Sequence, residues 1–436
     1  MDASCLRPDE LPDLAIERIG SPTIDSPLIK SNRHFVDDDE RILVYSHSYD
    51  LGGFGDSGKE PPAFERAGPR RKIFFDPAEL NCGVVTCGGL CPGLNDVVRT
   101  ITLSLIWQYG VKKVYGFRYG YVGLTSKPPQ PPMLLTTELV NDIHLKGGDI
   151  LSSSRGPQDS DEMVDNLERL GISVLFTIGG DGTLRGSRDL AEAIKKRGLK
   201  ISVIGIPKTI DNDISGIEQS FGFSTAVEAA RMAICGGHEE ARGAWNGVGL
   251  VKLMGRDSGF IAAYATLANS DVNFCFIPEV PLALEGFLSA LEKRLDKRHH
   301  AVVVVAEGAG GYLTGEKGAP AKDKSGNILR QDIGLILKEK IAEYFRLKKK
   351  PMSLKYIDPS YMIRSLPADS NDSAFCVMLG QNAVHAGMSG RTNMIVGYWN
   401  QYFVNIPTAL TVLKRKKVDP HGHLWQTVLE ITGQKC

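Results

Sequence analysis

The stretch FTIGGDGTLRGS (176–187) ends an apolar run in Gly179, Gly180 and Gly182, with Asp181 held among them. Bare backbone at the tip of a strand leaves room for a phosphate-bearing nucleotide. The Asp181 carboxylate can reach a magnesium ion bridging phosphates; an aspartate turning a tight loop is the plainer alternative. TCGGLCPGLNDVVR places Gly88, Gly89 and Gly93 ahead of a helix expected to start near Asn95. Amide N–H groups and a helix N-terminus there could meet phosphate oxygens, although an ordinary β–α turn looks the same. In IPKTIDNDI (206–214), Asp211 and Asp213 stand two apart and, if locally extended, share a face with Asn212 turned away. Two carboxylates repel a polyphosphate unless a metal or a hydroxyl intervenes. They therefore suit a general base and an orienting partner, with an Asx-turn pair as the rival. Neither a Walker A loop nor a protein-kinase signature occurs.

The elements that must position these residues follow from the surrounding pattern. NCGVVTCGGLCPG, VKKVYGFRYGYVG, ISVLFTIGGDG, ISVIGIPKTID and AVVVVAEGAGG are short apolar runs closed by glycine and followed by helix-like stretches. They read as strands buried on both faces in parallel α/β sheets, whose ligands gather at the carboxyl ends of the strands. Residues 1–72, polar and rich in Pro and Asp, read as an arm or wrapping segment without its own core. Residues 311–327 read as a surface loop. The basic runs RLKKK (346–350) and KRKKVDPHGHLWQ read as solvated helix ends, and His299, His300, His421 and His423 as surface histidines.

The chain has 436 residues, enough for two or three domains. Lys plus Arg equals Asp plus Glu at 51 each, so no charge excess favours nucleic acid or a membrane surface. No run is long and apolar enough to span a bilayer, and the acidic start lacks a signal core, which makes the cytoplasm the expected location. Cys82, Cys87 and Cys91 cluster without a C-x-x-C pattern, so reduced thiols are expected before zinc.

Taken together and in order, GGDGT, PKTIDND, GFSTA, VKLMGRDSGFIA and DPSYMIR resemble 6-phosphofructokinases, in particular the long ATP-dependent branch of plants and protists, over roughly residues 73–410. The resemblance implies two Rossmann-like three-layer α/β domains with parallel-rich sheets and a cleft between them, plus an N-terminal extension. The ATP domain would take 73–222 and 364–412, the sugar-phosphate domain 223–363, and 413–436 would form a tail. It implies transfer from Mg-ATP to the C1 hydroxyl of fructose 6-phosphate, a committing step of glycolysis, by an allosteric homo-oligomer, dimer or tetramer. By motif, Gly88, Gly89, Arg155, Gly180, Asp181, Gly182 and Thr183 fall to ATP, with Asp181 for magnesium and Arg155 for charge on the moving phosphoryl group. Asp211 matches the general base, beside Thr209 and Asp213. Met254, Gly255, Arg256 and Glu307 match positions that hold the sugar, and Tyr361 and Arg364 match the 6-phosphate grip; Met254 and Tyr361 also read as core residues. Where the compact bacterial pattern has arginines, this chain has Gly247 and Lys355, so Lys252 and Lys355 are expected as replacement phosphate ligands.

The family also holds pyrophosphate users, which usually read GGDD and carry the lysine of PKTIDND. Here Gly182 and Lys208 give a mixed signature. A carboxylate at 182 would clash with the ATP α-phosphate and repel it, whereas a flexible lysine can swing aside or even pair with phosphate, so ATP is the expected donor. A lipid or NAD kinase would explain GGDGT but not PKTIDND or MGR. A non-catalytic regulatory subunit would be expected to have lost the base, the metal aspartate or the arginine.

Overall fold

Period-two burial shapes the larger sheet. Val84, Phe176 and Ile204 lie side by side in register on three parallel strands and face one helical layer. Val85, Leu175 and Val203, each one residue along or back, face the other. Strands buried this way need no polar face, which is why the runs look uniformly apolar. The computed structural model describes residues 11–31, 33–48, 51, 54, 60–314 and 331–435 and divides into two units. Residues 315–327 of the expected surface loop lie outside the described residues.

Unit 1 holds the described residues up to Ile210, with Ile214–Gly222 and Ser365–Arg415. Its sheet runs, in spatial order, Arg41–Leu43, Ala63–Arg66, Tyr402–Pro407, Met394–Trp399, Ser202–Pro207, Ile172–Gly179, Asn81–Thr86, Lys113–Phe117 and Met133–Leu134. The strands from Met394–Trp399 to Lys113–Phe117 are parallel, and antiparallel strands close both edges. Helices Leu94–Leu103 and Ser370–Met388 cover one face, and Ser160–Arg169 and Asp181–Lys196 the other. After Asn81–Thr86 the chain first fills one side of that strand and then crosses to the other. The switch point thus falls where the Gly88 and Gly180 turns leave adjacent strands, the position at which open α/β sheets bind ligands.

The first 72 residues are more than an arm. They contribute two strands to the sheet, and Glu65 on the second is buried against Arg391, Arg70 and Asn405. Asp38 joins the same cluster through Arg18, Arg70 and Arg391. Burial alone would raise the Asp38 carboxyl, but those guanidinium hydrogen bonds hold it well below the usual carboxylate range. Removing either partner of the buried Glu65–Arg391 pair leaves the other's charge uncompensated, at a cost of about 3–5 kcal/mol.

Unit 2 holds Asp211–Asp213, Phe223–Arg364 and the described residues from Lys416 onward. Its four strands are all parallel, in the order Phe274–Phe276, His300–Ala306, Gly247–Leu253 and Ser353–Ile357. Val248, Leu250, Val303 and Val305 pack against Leu291, Leu337 and Phe345 from helices Leu284–Arg298 and Ile333–Leu347. Helix Phe223–Arg242 crosses the other face so closely that a Cβ on Gly249 would meet the Gly237 carbonyl oxygen at 2.4 Å. Residues 416–435 are part of this unit rather than a tail. Helix His423–Thr432 buries Trp425 and Val428. Beyond it, the Gln434 amide takes the Cys275 N–H at 2.7 Å and donates to the Cys275 carbonyl at 3.0 Å, pairing with the edge strand as a backbone would.

Candidate functional site

In unit 1, four segments meet at the switch point. Gly88 adopts φ 90°, a conformation that favours glycine, and its N–H donates to the Ser154 carbonyl, which ties the first glycine turn to the loop carrying Arg155. A Cβ on Gly89 would lie 3.3 Å from the Arg155 guanidinium, so that arginine rests over the bare backbone. Lys208 ends Ser202–Pro207, and its Nζ donates to the Gly89 carbonyl at 2.8 Å while its own N–H bonds the Gly179 carbonyl. Expected to swing aside, Lys208 is instead buried and pinned, with burial lowering its ammonium pKa against the opposing pull of nearby thiols and Asp149. Asp149 was not evident from the sequence. It accepts from the Thr86 hydroxyl at 2.7 Å and the Leu151 N–H at 2.9 Å, fixing the start of the Arg155 loop.

Gly180 caps helix Asp181–Lys196 in an extended conformation. At Gly182 a Cβ would meet nothing within 4 Å, so the fold does not require glycine there. Thr183 is buried, packed over Gly179, with its carbonyl accepting from the Tyr121 hydroxyl. Asp181, expected to face a metal, has its Oδ2 2.6 Å from Arg415 Nε. The run around Arg415 is therefore not a solvated helix end. Cys82, Cys87 and Cys91 are buried free thiols; burial pushes Cys82 up, and Cys87 up to about 12. Among the described residues, no three His, Cys, Asp or Glu side chains gather as a metal cage.

In unit 2, the residues that matter stand at carboxyl ends of strands. The Glu307 N–H bonds the Leu253 carbonyl and the Gly308 N–H bonds that of Gly255, which locks the end of His300–Ala306 to the MGR turn. Gly255 has φ 118°, and a Cβ would strike the Ser258 carbonyl oxygen at 2.6 Å. Asp211 and Asp213 are not in an extended segment. Asn212 turns the chain at φ 54°, a left-handed conformation asparagine tolerates, and it is buried. The Asp211 carboxyl is pushed up to about 8, first by burial and then by the charges of Asp213 and Glu307. Arg364 and the Arg256 amide pull it back. Thr209, two residues earlier, belongs to unit 1 and accepts from the Ser220 hydroxyl at 2.6 Å.

Met254 is buried, and its sulfur accepts from Arg364 Nε at 3.2 Å, so it steadies the arginine. Tyr361 is 81% exposed, against the core alternative, with the Arg364 guanidinium 5.9 Å from its ring centre. Lys252 does not fit a phosphate ligand. Its ammonium lies 2.6 Å from Asp332 and 2.8 Å from Asp358, and two carboxylates beside it would repel a phosphate. Lys355 lies mid-strand opposite Gly249, apart from the carboxyl ends, and is 3.8 Å from Glu240. His299 stacks on Trp245 at 4.0 Å and is half-buried with His300, unlike the exposed His421 and His423.

Residues 81–387 match the family model described as phosphofructokinase. The chain belongs to the phosphofructokinase family. It is 48% identical to the ATP-dependent 6-phosphofructokinase of Borreliella burgdorferi, covering 97% of each chain. It is 45% identical to that of Trypanosoma brucei brucei, over 96% of this chain and 87% of the relative. With ATP-dependent 6-phosphofructokinase 7 of Arabidopsis thaliana the identity is 43%, over 98% of this chain and 87% of the relative. The fold is shared with a pyrophosphate-dependent phosphofructokinase from Marinobacter aquaeolei (TM-score 0.66, 18% identity, 81% and 91% coverage) and with phosphofructokinase from Saccharomyces cerevisiae (0.61, 23%, 76% and 45%). Those two structures bear on the phosphofructokinase fold alone. No described helix is long and apolar enough to cross a membrane.

Proposed function

We propose that this phosphofructokinase transfers the γ-phosphoryl group of Mg-ATP to the C1 hydroxyl of D-fructose 6-phosphate, giving fructose 1,6-bisphosphate and ADP. The observation that carries the reading is the environment of Asp211. A carboxyl raised by burial and two like charges, yet held by the Arg256 amide and near Arg364, is poised to take a proton from an alcohol. Arg256, Glu307 and Arg364 then hold the sugar phosphate, with Met254 fixing Arg364. In unit 1 the bare Gly88–Gly89 turn and the N-terminus of helix Asp181–Lys196 cradle the triphosphate, and Arg155 offsets charge on the moving group.

The open space at Gly182 favours ATP over pyrophosphate as donor, because nothing in the protein demands glycine there while an α-phosphate does. The residues fit magnesium: one hard carboxylate, Asp181, beside open space suits an ion that keeps waters and takes phosphates as its other ligands. When bound, magnesium would neutralise phosphate charge. A cytoplasmic homo-oligomer is the proposed form; the exposed Tyr361 and Met362 beside Arg364 support contact with a second copy. Purified protein assayed with fructose 6-phosphate and either Mg-ATP or Mg-pyrophosphate tests the reading. Turnover is expected with ATP, and turnover with pyrophosphate alone would overturn the donor assignment.

A further inference from the structure

The backbone of Arg415 pairs with Ile214 in an isolated antiparallel bridge, which fixes it beside the residue that follows Asp213. From there its Nε reaches Asp181 Oδ2 at 2.6 Å, and the two side chains are 32% and 13% exposed. The distance is that of a charge-assisted hydrogen bond, and the guanidinium stays charged at every working pH. Asp181 opens a sixteen-residue helix whose first amides would meet a polyphosphate. A bare carboxylate at that point repels the very ligand those amides attract. Magnesium removes the repulsion when present. Arg415 is placed to remove it when magnesium is not.

We propose that Arg415 is a positioning residue of the donor site, holding the Asp181 carboxylate neutralised and aimed until the metal–nucleotide complex takes it over. The inference rests on the reading of unit 1 as the ATP site. It concerns this one residue and not the run's charge in general, since the neighbouring Lys416 commits its ammonium to the Phe260 ring at 5.1 Å.

The two cations would substitute for each other at one carboxylate, and that gives a signature no merely structural residue has. Equilibrium binding of ATP to the full chain, without sugar phosphate, is measured in EDTA and in MgCl2 for wild type, R415Q and R415K. The quantity read is the ratio of the two dissociation constants. In R415Q the ratio should rise about tenfold or more, the effect of losing one charge-assisted bond, because metal-free binding weakens and magnesium-supported binding largely holds. R415K should rise less, and it carries the test alone should R415Q lose its folded circular-dichroism spectrum. A ratio that is unchanged or lower overturns the proposal, including the case where both affinities fall together. Wild-type protein that binds no ATP in MgCl2 would remove the ATP reading itself, a separate failure.

Discussion

The two units present different materials at the ends of their strands, and on the proposed reading these answer different recognition problems. Unit 1 offers mostly backbone: turns at Gly88–Gly89 and Gly180–Gly182, a helix N-terminus, and cations set around them. Unit 2 offers side-chain charge: Asp211, Asp213 and Glu307 opposed by Arg364. A polyphosphate carries its own charge and asks chiefly for donors and space. A sugar hydroxyl carries none and must be given a base. If unit 1 binds the donor and unit 2 activates the acceptor, as proposed, the contrast teaches that the two tasks place opposite demands on the residues at a strand's end, absence of side chains in one case and crowding of like charges in the other.

The sharpest way to break this contrast is at the base. Asp211→Ser should fold and still bind fructose 6-phosphate, while kcat falls by ~10²–10⁴-fold, the usual range for a lost general base. A near-normal kcat would strip unit 2 of its catalytic part. Gly182→Asp tests unit 1 instead. With no protein atom within 4 Å of a Cβ there, Tm should hold. Like-charge repulsion should lower kcat/KM for ATP on the order of 10²-fold, with KM for the sugar phosphate little changed. An unaltered kcat/KM for ATP would show that the glycine does not make room for the α-phosphate.

The smallest effect concerns pH. A base must be deprotonated to act, so kcat/KM for fructose 6-phosphate should rise with pH through the region near 8 to which Asp211 is raised. Glu307→Gln removes one of the like charges and should move that limb to lower pH, whatever it does to the absolute rate. A limb that stays in place would separate Glu307 from the base.

Both glycine turns, the parallel strands and the carboxylate pair were legible in the sequence because each is a local pattern: bare residues after an apolar run, or two acids two apart. What was hidden depends on distance or on backbone conformation. Arg415 meets Asp181 across 234 residues, and nothing near either one announces the other. Lys252 looked like a phosphate ligand because its two carboxylate partners come from Asp332 and Asp358, far along the chain. The left-handed turn at Asn212 overrode the simple alternation that would have placed both aspartates on one face. The first 72 residues looked coreless because Glu65 and Asp38 find their arginines mainly at Arg70 and Arg391, beyond or near the end of that segment.

The Gln434 amide bears on how copies of the chain can meet. Strand Phe274–Phe276 borders a parallel sheet and would otherwise offer Cys275 as a docking point for any passing extended peptide. By standing in for a fifth strand at that point, one side chain closes the border to strand addition. Any contact between copies at this border must then be made by side chains, because the backbone of Cys275 is already taken.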